Sequence, residues 1–593
     1  MKRFLIVLIE SILSLSVNAQ PRLEHRDGST ARIVTNGKPM LMIGGELGNS
    51  SASTPEDVKR TFAHLHKLGL NTVLAPVSWE LIEPQEGTFD MSSLDVILTE
   101  ARRNELKVVL LWFGAWKNSM SCYAPEWFKR DTKRFPRAHL MENPPLRGLR
   151  GSLEGRPVEE ASSLSKNVLE ADKRAFCKIM EHLREHDRTE QTVIMIQVEN
   201  EIGMIDVPRD YSADATKLYQ SAVPQQLTDY LKKNQKSLHP YLKEKLRISL
   251  PQEGWGGASW SQLFGDDIYT EEIFQTWTYA TYVEQIAKAG RAIYNLPMYV
   301  NVALNSRDRK PGQYPSGGPL AHLIDLWHCG APSIDVLGVD IYDKGIKSWL
   351  DKYHLPNNPL FVPEIRLEDK DAMYALYAFG HHGAMGFCPF SIEDYPLNLE
   401  TSKPQNLKTD FDLSQDDQLN AFSPSHSVEG LGEASPLVAS YRLLRQAEPL
   451  ILDRQGTSDM DAVLLDNEHR EAEIITPDGI RLTIRHSYSL GWEPGAKDAE
   501  WPEAACIILR LGKEDYLAIG SGVVITYTDA KADKTWKQGD TRIGLAKCES
   551  VSIIDGKMHI KRHLNGDQTH QGRHVRIPVG QFDIQHFRLY RYK

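Results

Sequence analysis

Between residues 38 and 391, short β-branched apolar runs alternate with longer stretches in which apolar residues recur every three or four positions. Runs of the first kind read as buried strands and stretches of the second kind as amphipathic helices. The strand pattern occurs at 39–44, 71–76, 107–112, 192–197, 298–303, 335–341, 360–363 and 384–389. The helical pattern falls at 55–68, 92–104, 170–186 and 279–294. The first of these opens after Ser53-Thr54 and sets Val58, Phe62 and Leu65 on one face. Buried strands separated by helices imply an α/β class with a parallel sheet. Eight such units over about 350 residues predict a (β/α)8 TIM barrel with insertions. The connections 117–165 and 202–277 are far longer than ordinary βα loops. In a barrel they lie on the C-terminal face, where chemistry sits. Within the second, the Gly- and Trp-rich segment 251–260 reads either as a loop reaching the pocket or as a surface loop anchored by its tryptophans.

After Ser391 the pattern changes. A polar stretch at 393–427 is followed by one amphipathic helix at 436–446, and from Asp461 onward short β-type runs take over. The runs 472–476 and 480–484 flank Pro477-Asp478-Gly479, which is turn chemistry, so the pair reads as a hairpin. Further runs at 505–511, 516–519, 523–527 and 587–592 complete an antiparallel β-sandwich. At the other end, Met1-Lys2-Arg3 precedes an apolar stretch at 4–17, and Val17-Asn18-Ala19 places small side chains before Gln20. That is the form of a cleaved export signal, which implies a periplasmic or extracellular protein. The expected organisation is a signal peptide at 1–19, a catalytic barrel at 20–395, a linker and helix at 396–460 and a β-sandwich at 461–593. No later stretch reaches the ~20 consecutive apolar residues of a membrane span.

Composition narrows the partners. The 593 residues carry 69 basic and 79 acidic side chains, a net charge of −10, which argues against nucleic acid. Twelve tryptophans and 22 tyrosines supply flat amphipathic rings suited to stacking on sugars. The six cysteines form no CxxC pair and dictate no disulfide framework. His64 and His66 are two apart on a helix and face different ways; His381-His382 and His328-Cys329 lack partners at zinc spacing. With no P-loop, no dinucleotide fingerprint and no Gly-x-Ser-x-Gly elbow, neither a metal nor a cofactor is expected. The sequence leaves the oligomeric state open.

The strongest local signal is Ile194-Met195-Ile196-Gln197-Val198-Glu199-Asn200-Glu201-Ile202-Gly203. An apolar strand runs straight into two carboxylates and an amide, groups that are costly to bury unless they face a polar cleft. The second signal is Pro359-Leu360-Phe361-Val362-Pro363-Glu364-Ile365-Arg366, where another strand ends in a carboxylate. Two carboxylates on one barrel rim are the equipment of glycoside hydrolysis. Glu46, Trp79, Trp116 and Asn301, at or near the ends of other strands, are candidates for sugar contact or for plain packing.

Asn200-Glu201 ending strand four and Glu364 ending strand seven resemble the retaining glycoside hydrolases of clan A. The segment 197–203 resembles the acid/base segment of the family 35 β-galactosidases. Trp79-Glu80-Leu81-Ile82-Glu83-Pro84-Gln85-Glu86-Gly87-Thr88-Phe89-Asp90 is similar to the segment after strand two in families 35 and 42. Ala124-Pro125-Glu126-Trp127-Phe128 is similar to the Pro-x-Trp-Leu turn after strand three. Two departures stand out. Strand one ends Gly44-Gly45-Glu46-Leu47-Gly48-Asn49 in place of Ser-Gly-x-x-His-Tyr, and strand three lacks Ala-Glu-Trp. Those loops touch the sugar in the family, so the sugar itself stays open. The resemblance implies that Glu201 is the acid/base, Glu364 the nucleophile and Asn200 the partner of the sugar 2-hydroxyl. Tyr342, at the end of strand six, is placed to hold Glu364. The reading is an exported retaining exo-β-glycosidase of β-galactosidase type. Its alternatives are an endo-acting clan A glycanase, of mannanase or cellulase type, and a catalytically silent carbohydrate-binding barrel.

Overall fold

Eight parallel strands close into a ring in the computed structural model, which describes residues 20–26, 29–138, 159–246, 252–305, 308–398, 434–493, 495–532 and 539–593. The expected signal peptide at 1–19 and most of the polar stretch at 393–427 lie outside those residues. In chain order the barrel strands are Met42–Glu46, Thr72–Ser78, Lys107–Lys117, Val193–Asn200, Met298–Val300, a sixth in two pieces, Phe361–Ile365 and Gly386–Pro389. The sixth consists of Val336–Leu337, which pairs with the fifth strand, and Asp340–Ile341, which pairs with the seventh. The eighth pairs with the first, so no edge is left open.

The helices follow the apolar periodicity. Pro55–Leu68 starts where the Thr54 hydroxyl accepts the Asp57 N–H at 3.2 Å and stops at Gly69, whose φ of 89° suits a left-handed cap. Lys166–His186 begins slightly earlier than its periodicity suggests. Ile268–Ile293 begins eleven residues before the expected 279, capped by Asp267. Its residues 272–280 are buried without interruption, so no polar stripe marks them as helix. In the 251–260 segment, Trp255 and Trp260 are buried and anchor the chain, the second against Phe264 and Phe274.

The expected strand at 39–44 divides, as the sixth does. The run at 39–44 is two elements broken at Leu41: Lys38–Met40 belongs to a three-stranded antiparallel sheet with Arg22–His25 and Ala31–Thr35, and only Met42–Glu46 enters the barrel. Ala31 and Ile33 of that small sheet join the barrel's inner core of Met42, Leu74, Val109, Leu111, Met195, Val336 and Phe361, plugging its N-terminal end. The mouth at the opposite end is left to polar side chains.

The C-terminal region is a β-sandwich. A six-stranded sheet and a four-stranded sheet enclose Leu465, Ile484, Cys506, Ile525 and Phe587. The expected hairpin is present, with Glu471 opposite Arg485 and Ile475 opposite Arg481. Arg542–Ile554, Lys557–His563 and Val575–Ile577 are further strands. Strand Ala504–Gly512 points Cys506 and Ile508 into the sandwich, and Ala505, Ile507 and Leu509 into the apolar core of the barrel's outer layer. At that seam helix Asp371–His381 comes so close that a Cβ on Gly380 would meet the Ala462 Cβ at 2.6 Å. All six cysteines are free, and no described helix is long and apolar enough to cross a membrane.

Candidate active site

The fourth barrel strand sets the geometry. Met195 faces the barrel interior and Ile196 and Val198 face the helix layer, so Gln197 and then Glu199 should point inward. That alternation fails at the strand's end. Glu199 has a φ of 62° and Glu201 a φ of 43°, left-handed conformations that cost a side-chain-bearing residue about 1–3 kcal/mol. They persist because the surroundings grip the backbone. Asn301 Oδ1 accepts the Glu201 N–H at 2.9 Å, and the Asn118 and Ser119 N–H groups donate to the carbonyls of Asn200 and Glu201, each at 3.2 Å. The twist turns Glu199 outward, onto Asp172 of helix Lys166–His186, and brings Glu201 to the mouth. The alternation that would have given Glu199 the same side as Glu201 is thereby overturned.

Glu201, Asp340 and Glu364 each present a carboxylate oxygen within 4.8 Å of the others, and all three side chains are buried. Glu201 and Glu364 thus approach each other to within 4.8 Å at their nearer oxygens, on the same side of the barrel. The spacing would also suit a cation, yet each carboxylate already receives a hydrogen-bond donor. The Tyr342 hydroxyl donates to Glu364, the Asn118 amide to Glu201, and the Asn301 amide to Asp340 at 2.7 Å. Those donors occupy one oxygen of each group and leave Asp340 Oδ1 and Glu364 Oε2 without a partner among the described residues.

Burial, reinforced by the charge of Glu201, pushes Glu364 up to about 7, while Lys117 and Tyr342 pull the other way. Asp340 is raised well above the ordinary carboxyl range, by burial first and then by Glu364 and Glu201. Lys117, buried at the end of strand three, is the cation that opposes the rise at Glu46 and Glu364. Around the carboxylates stand polar groups without a partner among the described residues. They include both amide atoms of Asn200 and of Gln197, the Tyr299 hydroxyl, and one oxygen each of Asp340 and Glu364. Each is costly to leave unmet, at roughly 1–3 kcal/mol, until a ligand supplies hydrogen bonds.

The remaining sequence candidates divide. Glu46 is wholly buried beside Glu364. Asn301 bonds the Glu201 backbone N–H at one end and Asp340 at the other, which makes it a brace between the two strand ends. Trp79 lies in the helix layer against Trp112, Trp127 and Phe128, its indole N–H donating to Glu83 at 2.9 Å. Trp116 packs edge-on against Tyr279 and Tyr282 of helix Ile268–Ile293. Both tryptophans are fully buried in these contacts, and the Trp116 indole N–H is left without a partner among the described residues. Lys117, Asn118 and Asp340 were missed as site residues. The signal that found Glu201, a charged group closing an apolar strand, applies equally to Lys117 once strand three is extended past Trp112.

Residues 50–271 match the family model of glycoside hydrolase family 42, described as beta-galactosidase. The resemblance to clan A glycoside hydrolases is supported. The matched stretch contains strands two to four with Asn200 and Glu201, and stops before Asn301, Tyr342 and Glu364. Residues 437–576 match a domain of unknown function (DUF5597). No curated protein matches the chain by sequence. Among solved structures, the chain is similar to the beta-galactosidase of the psychrophilic Marinomonas ef1, at 15% identity over 59% of this chain and 54% of that one, with a TM-score of 0.38. The cold-adapted beta-galactosidase of Rahnella sp. R3 matches at 16% identity over 59% and 50%, with a TM-score of 0.37. That of Bacillus circulans sp. alkalophilus matches at 14% over 70% and 57%, with a TM-score of 0.41. The chain spans about half the length of these structures.

Proposed function

We propose that this chain is a retaining exo-β-glycosidase that removes terminal β-linked galactose from oligo- or polysaccharides. The observation that carries the reaction type is the Glu201–Glu364 pair, two buried carboxylates with oxygens within 4.8 Å on one barrel rim. The sugar assignment is supported by the match of residues 50–271 to a family described as beta-galactosidase. In the first step the Glu364 carboxylate attacks the anomeric carbon, the bond to the leaving oxygen breaks, and Glu201 gives that oxygen its proton. In the second step Glu201 takes a proton from water, the water oxygen bonds to the anomeric carbon, and Glu364 departs as a carboxylate. Asn200, with both amide atoms unpartnered, is the group that meets the 2-hydroxyl, a contact that strengthens in the transition state. Tyr342 holds Glu364 in line through its hydroxyl. Both chemical roles fall to side chains, so the reaction asks for no cofactor.

A panel of aryl glycosides and polysaccharides tests the reading. Release of aryl β-galactoside with retained anomeric configuration supports it. Cleavage of polysaccharide alone indicates the endo-acting alternative, and no cleavage at all indicates a silent binding barrel. Export is part of the proposal and rests on the motif ahead of Gln20; N-terminal sequencing of protein recovered outside the cytoplasm should begin at Gln20.

A further inference from the structure

Strand one ends in Glu46, ahead of the stretch that the family model matches. It is 0% exposed, and neither of its carboxyl oxygens receives a donor among the described residues. The other three carboxylates of the mouth each have one, from Tyr342, Asn118 and Asn301. An ionised carboxylate with neither water nor a donor is among the costliest groups a protein can bury, so the stable form here is the neutral acid. A neutral acid has one O–H to donate, and Glu46 meets Glu364 carboxyl to carboxyl. We propose that Glu46 carries a proton in the resting protein and donates it as a hydrogen bond to Glu364, acting as a positioning residue for the nucleophile.

The inference rests on the reading of Glu364 as nucleophile. The groups facing Glu46 come from several strands: Lys117 from the third, Glu201 from the fourth, Tyr299 from the fifth and Asp340 from the sixth. Glu364 comes from the seventh and Cys388 from the eighth. Burial first, and the charge of Glu364 next, lift Glu46 well above the ordinary carboxyl range; Lys117 opposes them without reversing the direction. The consequence concerns the balance of the two chemical steps. Glu364 is an anion before it attacks and after it leaves, and a neutral ester between. A hydrogen bond from Glu46 therefore favours both free states over the covalent intermediate. It costs the first step a little and speeds the second, because it steadies Glu364 as the departing group.

Infrared difference spectra of the full chain at neutral pH, wild type minus Glu46→Gln, locate the proton without relying on turnover. Loss of a protonated-carboxyl band supports the inference; loss of a carboxylate band in its place overturns it. Kinetics supply the second readout. Glutamine keeps a donor and alanine does not, so Glu46→Ala should have a deglycosylation rate about 10- to 100-fold below that of Glu46→Gln and should accumulate glycosyl-enzyme. Equal rates would overturn the inference. Should Glu46→Ala fail to fold, the infrared comparison still decides. Mass spectrometry after trapping with a 2-deoxy-2-fluoro glycoside separates the two readings. Label on Glu364 with no protonated Glu46 sinks this inference alone. A protonated Glu46 with label elsewhere sinks the assignment of the nucleophile.

Discussion

Glu199 and Glu201 lie two residues apart on one strand end, both buried, and each meets another carboxyl. Glu199 meets Asp172 outside the barrel, and Glu201 meets Glu364 inside it. The outer pair is bonded within the protein at every oxygen but Glu199 Oε1. Glu199 accepts the Trp116 backbone N–H at 2.7 Å, and Asp172 accepts the Trp112 indole N–H at 2.9 Å and the Tyr282 hydroxyl at 2.8 Å. Gly114 makes the room, since a Cβ there would stand 2.7 Å from Glu199 and 2.8 Å from Asp172. The inner pair is ringed by amides and hydroxyls with nothing to bond. Burial and upward-shifted carboxyl pKa values are common to both clusters, so neither marks the chemical site. Unmet hydrogen-bonding capacity separates them by degree: the outer pair leaves Glu199 Oε1 unmet, whereas the inner one leaves an oxygen each of Asp340 and Glu364, both amide atoms of Asn200 and of Gln197 and the Tyr299 hydroxyl.

The sharpest way to break this contrast is to remove the inner carboxylates. Glu364→Gln should abolish turnover of every glycoside while leaving the melting temperature near that of wild type, checked by steady-state assay and calorimetry. Glu201→Ala should slow substrates with poor leaving groups by roughly 10²–10⁴-fold and activated aryl glycosides far less. Azide should restore part of its second step, since a small anion attacks without a general base. Equal slowing of good and poor leaving groups, with no azide effect, would remove Glu201 from the acid/base role.

A pH profile sharpens the inner pair. Glu364 stands at about 7, so kcat/KM should fall as pH drops through that region and the nucleophile takes up a proton. Glu201→Gln deletes the neighbouring charge that helps hold Glu364 up, so the residual activity should show its acid limb at lower pH. An unmoved limb would show that the two carboxyls are not coupled.

The outer pair predicts the smallest effect on activity and a definite one on stability. Glu199 is raised well above the 4.5 of a free carboxyl, by burial first and Asp172 next. The folded state keeps a proton that the unfolded chain releases near pH 4.5, so this contribution is whole below that pH and is lost as pH climbs toward the folded value. Glu199→Gln should flatten that dependence by up to about 1.4 kcal/mol per pH unit, with turnover little changed. Glu199→Ala, which strands the Trp116 N–H, should cost about 1–3 kcal/mol of unfolding free energy.

Much of this was legible in the sequence where one periodicity dominates. Strand four, the helix at Pro55–Leu68 and the hairpin around Pro477-Asp478-Gly479 are local patterns, and the two carboxylates betray themselves as charges closing apolar runs. What was not legible depends on departures from periodicity. The left-handed turn at Glu201 is gripped by Asn301, 100 residues away in sequence, and strand alternation by itself would put Glu199 on the wrong wall. Trp79 and Trp116 look like sugar platforms because tryptophan serves packing and stacking equally well. Arg542–Ile554 escaped notice because its first half is partly exposed and carries no continuous apolar run.

The six-stranded sheet of the C-terminal region, buried on both faces at strands Ala504–Gly512 and Asp515–Ser521, also sets a rule for how this architecture can be taken apart. One face closes the sandwich and the other closes the barrel's outer layer, so the two folding units share a wall. A shared wall has no neutral cut. Truncation ahead of Met460–Leu465 would uncover helix Asp371–His381 at Gly380, which packs on Ala462 and Ile507, and an isolated tail would expose Ala505, Ile507, Leu517 and Ile519. Recombination with other barrels would therefore have to carry the helix and the sheet together, as one inherited block.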